Sequence, residues 1–191
     1  MSDKAFSNVN SDADVPDYIL DNEEVEESDE VRSTWEDSYL YSKYKKRRGQ
    51  ERDLVILIIG ENASTGTGKT TLAVQLADKM DQSSDGFTEE KATPYIDEFF
   101  KLYKDVEEGS AIVGDEAQGL ADSRKSMTNE NVYVSQIMSR ARFREVYTIL
   151  TMPSADMLDK RLKRRADVLI VCDEDTKGQG RVYELFMNDL D

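Results

Sequence analysis

Residues 54–70 read Leu-Val-Ile-Leu-Ile-Ile-Gly-Glu-Asn-Ala-Ser-Thr-Gly-Thr-Gly-Lys-Thr. The six aliphatic residues Leu54–Ile59 are far too few to cross a bilayer. They lack the polar alternation of a half-wet strand, so they describe a short strand buried on both faces, as inside a parallel sheet. Glycines at 60, 66 and 68 follow, and then an amphipathic helix is expected over Thr70–Met80. Glycine reaches φ > 0 cheaply, so successive N–H groups of such a loop can turn toward one anion. The octet Ala63-Ser64-Thr65-Gly66-Thr67-Gly68-Lys69-Thr70 fits the phosphate-binding Walker A pattern, with alanine at its first glycine position and Thr71 leading into the helix. In that pattern Lys69 reaches the β- and γ-phosphates, the Thr70 hydroxyl ligates Mg²⁺, and the helix N-terminus faces the same anion. ATP and Mg²⁺ are the ligands this implies.

Farther along stands Ala111-Ile112-Val113-Gly114-Asp115-Glu116, a short apolar strand ending in two adjacent carboxylates. Carboxyl ends of strands are where α/β folds bind ligands. Asp115 suits a Walker B role, holding Mg²⁺ through water. Glu116 suits a base that orients and deprotonates an attacking water. A solvated acidic turn is the plain alternative in a chain with 40 Asp and Glu residues. Pairing with a phosphate loop upstream favours the chemistry, and the second carboxylate favours hydrolysis over phosphoryl transfer to a metabolite.

Working outward, short apolar runs alternate with helical patterns. Strands are expected at Ala111–Val113, Val146–Leu150, Val168–Cys172 and Arg181–Phe186. Helices are expected around Tyr95–Lys104, Asn131–Arg140 and Ala155–Lys163. This alternation predicts an α/β fold, a mainly parallel sheet with helices on both faces. The expected organisation is an acidic tail at 1–37, an aromatic and basic linker at 38–52, and the folded domain at 53–191.

The net charge of −15 is concentrated at one end: residues 1–39 hold 13 acids against 2 bases. So polar a tail cannot bury enough surface to offset its ordering entropy and reads as a disordered arm. An autoinhibitory or docking segment that mimics the charge of nucleic acid is the functional alternative. Trp35, Tyr39, Leu40, Tyr41 and Tyr44 form a more apolar patch, suited to packing on the domain or on a neighbouring subunit. The basic run Lys43, Lys45, Lys46, Arg47 and Arg48 fits a self-neutralising linker and a phosphate contact equally well. A single cysteine, Cys172, excludes an intramolecular disulfide and suits a reducing compartment. With no secretory pattern at the start and no membrane-length apolar run, a soluble cytoplasmic protein is expected, not itself a membrane protein.

From Leu54 to about Phe186 the chain resembles the additional-strand P-loop NTPases (the RecA-like type), and within them the FtsK/HerA group of DNA-pumping motors. That group includes viral genome-packaging ATPases and overlaps in pattern with the Zot-like proteins of filamentous phages. The resemblance rests on Gly68-Lys69-Thr70-Thr71, on Asp115-Glu116-Ala117-Gln118, and on Tyr147-Thr148-Ile149-Leu150-Thr151-Met152-Pro153-Ser154. The group's last segment runs threonine–glutamine–x–proline–serine; here Met152 replaces the glutamine and one residue is missing. The resemblance implies that Thr151 senses the γ-phosphate, with Gln118 supplying part of the missing function. It also implies a homo-oligomeric ring moving double-stranded DNA, with a capsid or membrane-protein docking partner and a place in a host cytoplasm or virion. An arginine finger from the neighbouring subunit is implied too, with candidates Arg140, Arg142 and Arg144. The plain reading of each arginine is an exposed basic helix end. The run Lys160, Arg161, Lys163, Arg164 and Arg165 is by resemblance a finger or DNA-facing patch, and by default a solvated helix face. A protein-directed nucleotide switch or an assembly or secretion ATPase would carry the same two motifs. A small-molecule kinase would need an acceptor pocket and an arginine-rich lid, for which residues 160–165 are a poor substitute.

Overall fold

A computed structural model of the chain describes residues 35–60, 66–116, 144–153, 166–172 and 180–184. Strand β1 (Leu54–Gly60) is buried at every position. It lies between β4 (Tyr147–Met152) and β5 (Val168–Cys172), parallel to both. Beyond β4 come β3 (Ala111–Gly114) and the edge strand β2 (Ala92–Thr93), also parallel. Beyond β5 comes β6 (Gly180–Glu184), antiparallel. The order β2-β3-β4-β1-β5-β6 is the expected mainly parallel sheet. One additional strand, β4, separates the strand that leads to the phosphate loop from the strand that carries the acids.

Successive residues of a strand point to opposite faces, so a strand apolar throughout must be covered on both. Leu54, Ile56, Ile58, Tyr147, Ile149, Val168 and Ile170 pack with Leu72, Leu76 and Met80 of helix α2 (Lys69–Met80). Val55, Leu57, Ile59, Ile112, Leu150 and Met152 pack on the other side with Phe99 and Tyr103 of helix α3 (Ile96–Asp105). Leu72, Leu76 and Met80 recur every four residues and so share one helix face; burying each stabilises the fold by about 1.5–3 kcal/mol.

The aromatic and basic segment forms helix α1 (Tyr39–Arg48), preceded by a 3₁₀ turn at Trp35–Asp37. The Ser38 hydroxyl caps α1 by accepting from the Tyr41 N–H at 3.1 Å. Of the two placements open to the apolar patch, the structure shows packing on the chain's own domain. Leu40 and Tyr44 are buried on the α2 side of the sheet, and Trp35 closes over them. The Tyr44 ring meets Tyr147 edge-on at 4.9 Å, and its hydroxyl donates to the Met80 carbonyl at 3.0 Å. Arg47 pairs with Asp167, whose other carboxylate oxygen accepts the Val55 N–H at 3.0 Å. Part of the basic run thereby ties α1 to the starts of β1 and β5.

Other elements differ in detail. Strand β4 runs on to Met152, two residues past its expected end, because its parallel pairing with β1 continues to Ile59↔Met152. Helix α3 begins at Ile96, with Tyr95 as its N-cap. Strand β6 begins at Gly180, one residue before its expected start, and is described to Glu184. Strand β2 was not expected at all: two residues carry no periodicity. The helices expected at Asn131–Arg140 and Ala155–Lys163 lie outside the described residues.

One buried carboxylate joins α2 to the edge of the sheet. Asp81, the C-cap of α2, accepts from the Ser83 N–H at 2.9 Å, the Lys91 ammonium at 2.8 Å and the Ala111 N–H at 2.9 Å. Burial pushes its pKa up, but the hydrogen bonds from Lys91, Ser83 and Ala111 outweigh that and hold it below the ordinary value. Its stabilising contribution is therefore fully present above the unfolded carboxyl pKa of about 3.9 and is lost as pH falls through the lower folded value. Asp81→Asn should cost about 1–3 kcal/mol at pH 7. In urea melts across pH 2–7, the gap between variant and wild type should close in acid; a gap independent of pH would contradict this assignment.

Candidate active site

Strands β1, β3 and β4 end side by side, and their register puts Ile58 opposite Thr151 and Gly114 opposite Leu150. The side chains that follow those ends meet. The Thr70 hydroxyl, from the first turn of α2, donates to Asp115 Oδ1 at 2.8 Å. The Thr151 hydroxyl donates to the same oxygen at 2.6 Å and accepts the Glu116 N–H at 2.8 Å. Lys69 extends its ammonium to the Thr67 hydroxyl at 3.3 Å. The structure thus brings Lys69, Thr70, Asp115, Glu116 and Thr151 together, drawn from the starts or ends of three different strand–helix units.

The phosphate loop has the backbone its sequence calls for. Gly66 and Gly68 hold φ of 77° and 84°, conformations that cost a side chain about 1–2 kcal/mol. Gly68 is the N-cap of α2 and supplies no capping side chain. The first N–H groups of a helix lack intrahelical acceptors, and the helix dipole adds positive character there. Thr67 is buried while Thr70 and Thr71 face outward. Ala63, Ser64 and Thr65 lie outside the described residues, as do Gln118, Arg140, Arg142, Ser154 and the basic run 160–165.

Thr70 and Asp115 fit magnesium. Both offer hard oxygen donors, and a hydroxyl whose proton points at Asp115 keeps lone pairs for a cation. Among the described residues no three acidic, cysteine or histidine side chains cluster as a metal cage. Magnesium does not need one, since it binds through one or two protein oxygens with water and substrate phosphate completing its shell.

No protein-family model matches the chain, and no curated protein matches it. Solved structures do. The N-terminal domain of zonular occludens toxin from Neisseria meningitidis aligns at 19% identity and TM-score 0.44, over 63% of this chain and 76% of its own. The DNA-packaging ATPase B204 from Sulfolobus turreted icosahedral virus aligns at 15% identity and TM-score 0.39, over 63% of this chain and 75% of its own. The FIGL-1 AAA domain in complex with ADP aligns at 17% identity and TM-score 0.40, over 62% of this chain and 42% of its own.

Glu116 stands in the left-handed region, with φ of 47°. That conformation costs a non-glycine residue on the order of 1–3 kcal/mol, and such strain gathers at functional sites. Here the N–H bond to Thr151 holds it. The Cys172 thiol, at the end of β5, is pushed up to about 11 by burial, against the pull of the Lys69 charge, and stays protonated at neutral pH.

Arg144 is not brought to this site. It precedes β4, at the opposite end of the sheet. Its guanidinium donates to the Tyr103 and Val106 carbonyls and lies over the Tyr103 ring, while its N–H donates to Asp53. These contacts brace α3 against the sheet.

Two supporting residues escaped the sequence reading. The Thr93 carbonyl, on β2, accepts the Asp115 N–H at 3.0 Å. Gly114 leaves room that no other residue would: a Cβ there would lie 2.7 Å from Leu150 Cδ2 and 3.2 Å from the Phe99 ring. A glycine directly before an acid pair at a strand end was the available signal. Gly114→Ala should lower stability by about 1–3 kcal/mol through overpacking, read as an earlier midpoint in urea. An unchanged midpoint would show that the core yields freely at this point.

Proposed function

We propose that this chain binds ATP with magnesium and hydrolyses it. The observation that carries the reading is the meeting of the Thr70 hydroxyl and the Asp115 carboxylate at 2.8 Å, beside Lys69 and one residue before Glu116. The backbone of the loop and the start of α2 cradle the phosphates, and Lys69 pairs with their charge. Thr70 and Asp115 hold magnesium, which when bound neutralises phosphate charge. Glu116 is exposed, and its backbone N–H is held by the Thr151 hydroxyl. It takes a proton from water as the water oxygen bonds to the γ-phosphorus; the bridging bond breaks and ADP and phosphate leave. The resemblance gives Thr151 the γ-phosphate, whereas its hydroxyl is engaged with Asp115 and the Glu116 N–H.

Lys69→Ala should lose nucleotide binding or turnover. Glu116→Gln should bind ATP yet hydrolyse it about 10²–10⁴-fold more slowly, measured as steady-state phosphate release against nucleotide titration. Full turnover in Glu116→Gln would remove it as the base.

The finer reading is a ring-forming motor of the FtsK/HerA type that moves double-stranded DNA, as a viral genome-packaging ATPase does. The two motifs and the additional strand between them support it. Contacts to DNA would go to the backbone, since no aromatic and basic interleaving marks base recognition. A finger would then come from Arg140, Arg142 or Arg144, and alanine at the responsible one should abolish turnover while sparing ATP binding. The deciding measurement is the ATPase rate with and without duplex DNA over a range of protein concentration. Stimulation by DNA, with a rate per chain that climbs with concentration, is expected. A rate indifferent to DNA would favour a nucleotide-dependent switch or assembly ATPase acting on proteins.

A further inference from the structure

The Thr151 hydroxyl has one proton and two lone pairs. Its proton goes to Asp115 Oδ1, and one lone pair receives the Glu116 N–H. Phosphate oxygens of bound ATP offer lone pairs, so a contact from Thr151 to the γ-phosphate needs the proton that Asp115 already takes. Thr151 is also fully buried, on the α2 side near the end of β4.

We propose that Thr151 is a positioning residue that acts through Asp115 and Glu116, and not a reader of the γ-phosphate. One hydroxyl fixes two things at once: the carboxylate that faces Thr70, and the backbone N–H that keeps Glu116 at its positive φ. Asp115 Oδ1 receives both threonine protons, so its rotamer is pinned from both sides and its other oxygen keeps a set direction. Among the described residues, removing the Thr151 hydroxyl leaves the Asp115 carboxylate held by Thr70 alone and frees the Glu116 backbone to leave the left-handed region. The magnesium ligand and the base then lose their common anchor. This inference deepens the ATPase reading above and rests on it.

The test compares wild type, Thr151→Val and Thr151→Ser as full chains. The readouts are kcat, the Mg²⁺ concentration for half-maximal nucleotide binding, and the ratio of affinities for a non-hydrolysable ATP analogue and ADP. Thr151→Val should lower kcat by about 10–100-fold, the usual cost of removing a group that orients a ligand. It should raise the Mg²⁺ requirement and leave the ATP-to-ADP ratio as in wild type, and Thr151→Ser should restore both kcat and Mg²⁺ dependence. A Thr151→Val chain that loses its preference for the ATP analogue while keeping its Mg²⁺ requirement would overturn the proposal in favour of a sensor. Unchanged kcat and Mg²⁺ dependence would overturn it outright. If Thr151→Val does not fold, the wild-type structure with Mg²⁺ and the analogue decides. The proposal requires the hydroxyl on Asp115 and the Glu116 N–H, and a hydroxyl bonded to a γ-phosphate oxygen defeats it. A wild type that binds Mg²⁺ and nucleotide without turnover sinks the hydrolytic reading alone, since affinity ratio and Mg²⁺ dependence still judge Thr151.

Discussion

A strand covered on both faces can place charge only at its two ends, and that constraint organises this molecule. Strand β1 is buried throughout, and β3 and β4 beside it are buried likewise. Ionised groups in such a layer would be desolvated at a cost no partner there could offset. The charges accordingly collect at the rims. At the carboxyl rim stand Lys69, Asp115 and Glu116; at the amino rim stand Asp53, Arg144, Asp167 and Arg47.

The two rims spend their carboxylates differently. At the amino rim each acid is consumed by the fold. Asp53 accepts the Val146 and Arg144 N–H groups at 3.1 and 3.2 Å and the Tyr103 hydroxyl at 2.6 Å. Burial pushes its pKa up, and those three donors only partly pull it back. Burial and the Asp53 carboxylate together drive the Tyr103 phenol upward, so that proton stays in place. Asp167 accepts the Val55 N–H near the start of β1 and holds Arg47. At the carboxyl rim the donors to Asp115 are neutral hydroxyls, which orient its charge without cancelling it. A carboxylate left charged but aimed is what a cation site requires.

The sheet and the site were legible in sequence because each is local. Leu54–Ile59 announces a doubly buried strand by composition alone, and Gly66, Gly68, Lys69 and Thr70 lie within five residues of one another. Asp115 and Glu116 are adjacent, so one apolar run sufficed to find both. What stayed hidden depends on contacts far apart in the chain. That Thr93 would lend a carbonyl to Asp115 follows from the neighbours of β3 in the sheet, and no pattern along the chain encodes it; the glycine before the acid pair is visible in sequence, but its crowding against Leu150 is not. The contacts of Arg144 stayed hidden for the same reason. A basic residue ahead of a strand looks exposed until Tyr103 and Val106, some forty residues upstream, supply the carbonyls that bind it.

Strand parity explains the departure at Met152. In the resembled pattern the residue after the threonine is a polar glutamine. In this sheet residues 147, 149 and 151 point to the α2 side, while 150 and 152 point to the α3 side. Met152 is fully buried there among Leu57, Ile59, Phe99 and Leu150. A glutamine amide at that position would lie in an apolar cluster, and leaving it unpaired would cost roughly 1–3 kcal/mol. Methionine is what such a place favours, being unbranched and tolerant of irregular gaps. The substitution therefore belongs to the core, and it leaves Thr151 as the last polar side chain of β4 on the side facing the acids. With no glutamine beside it, the side-chain link from β4 to Asp115 and Glu116 among the described residues is a single hydroxyl.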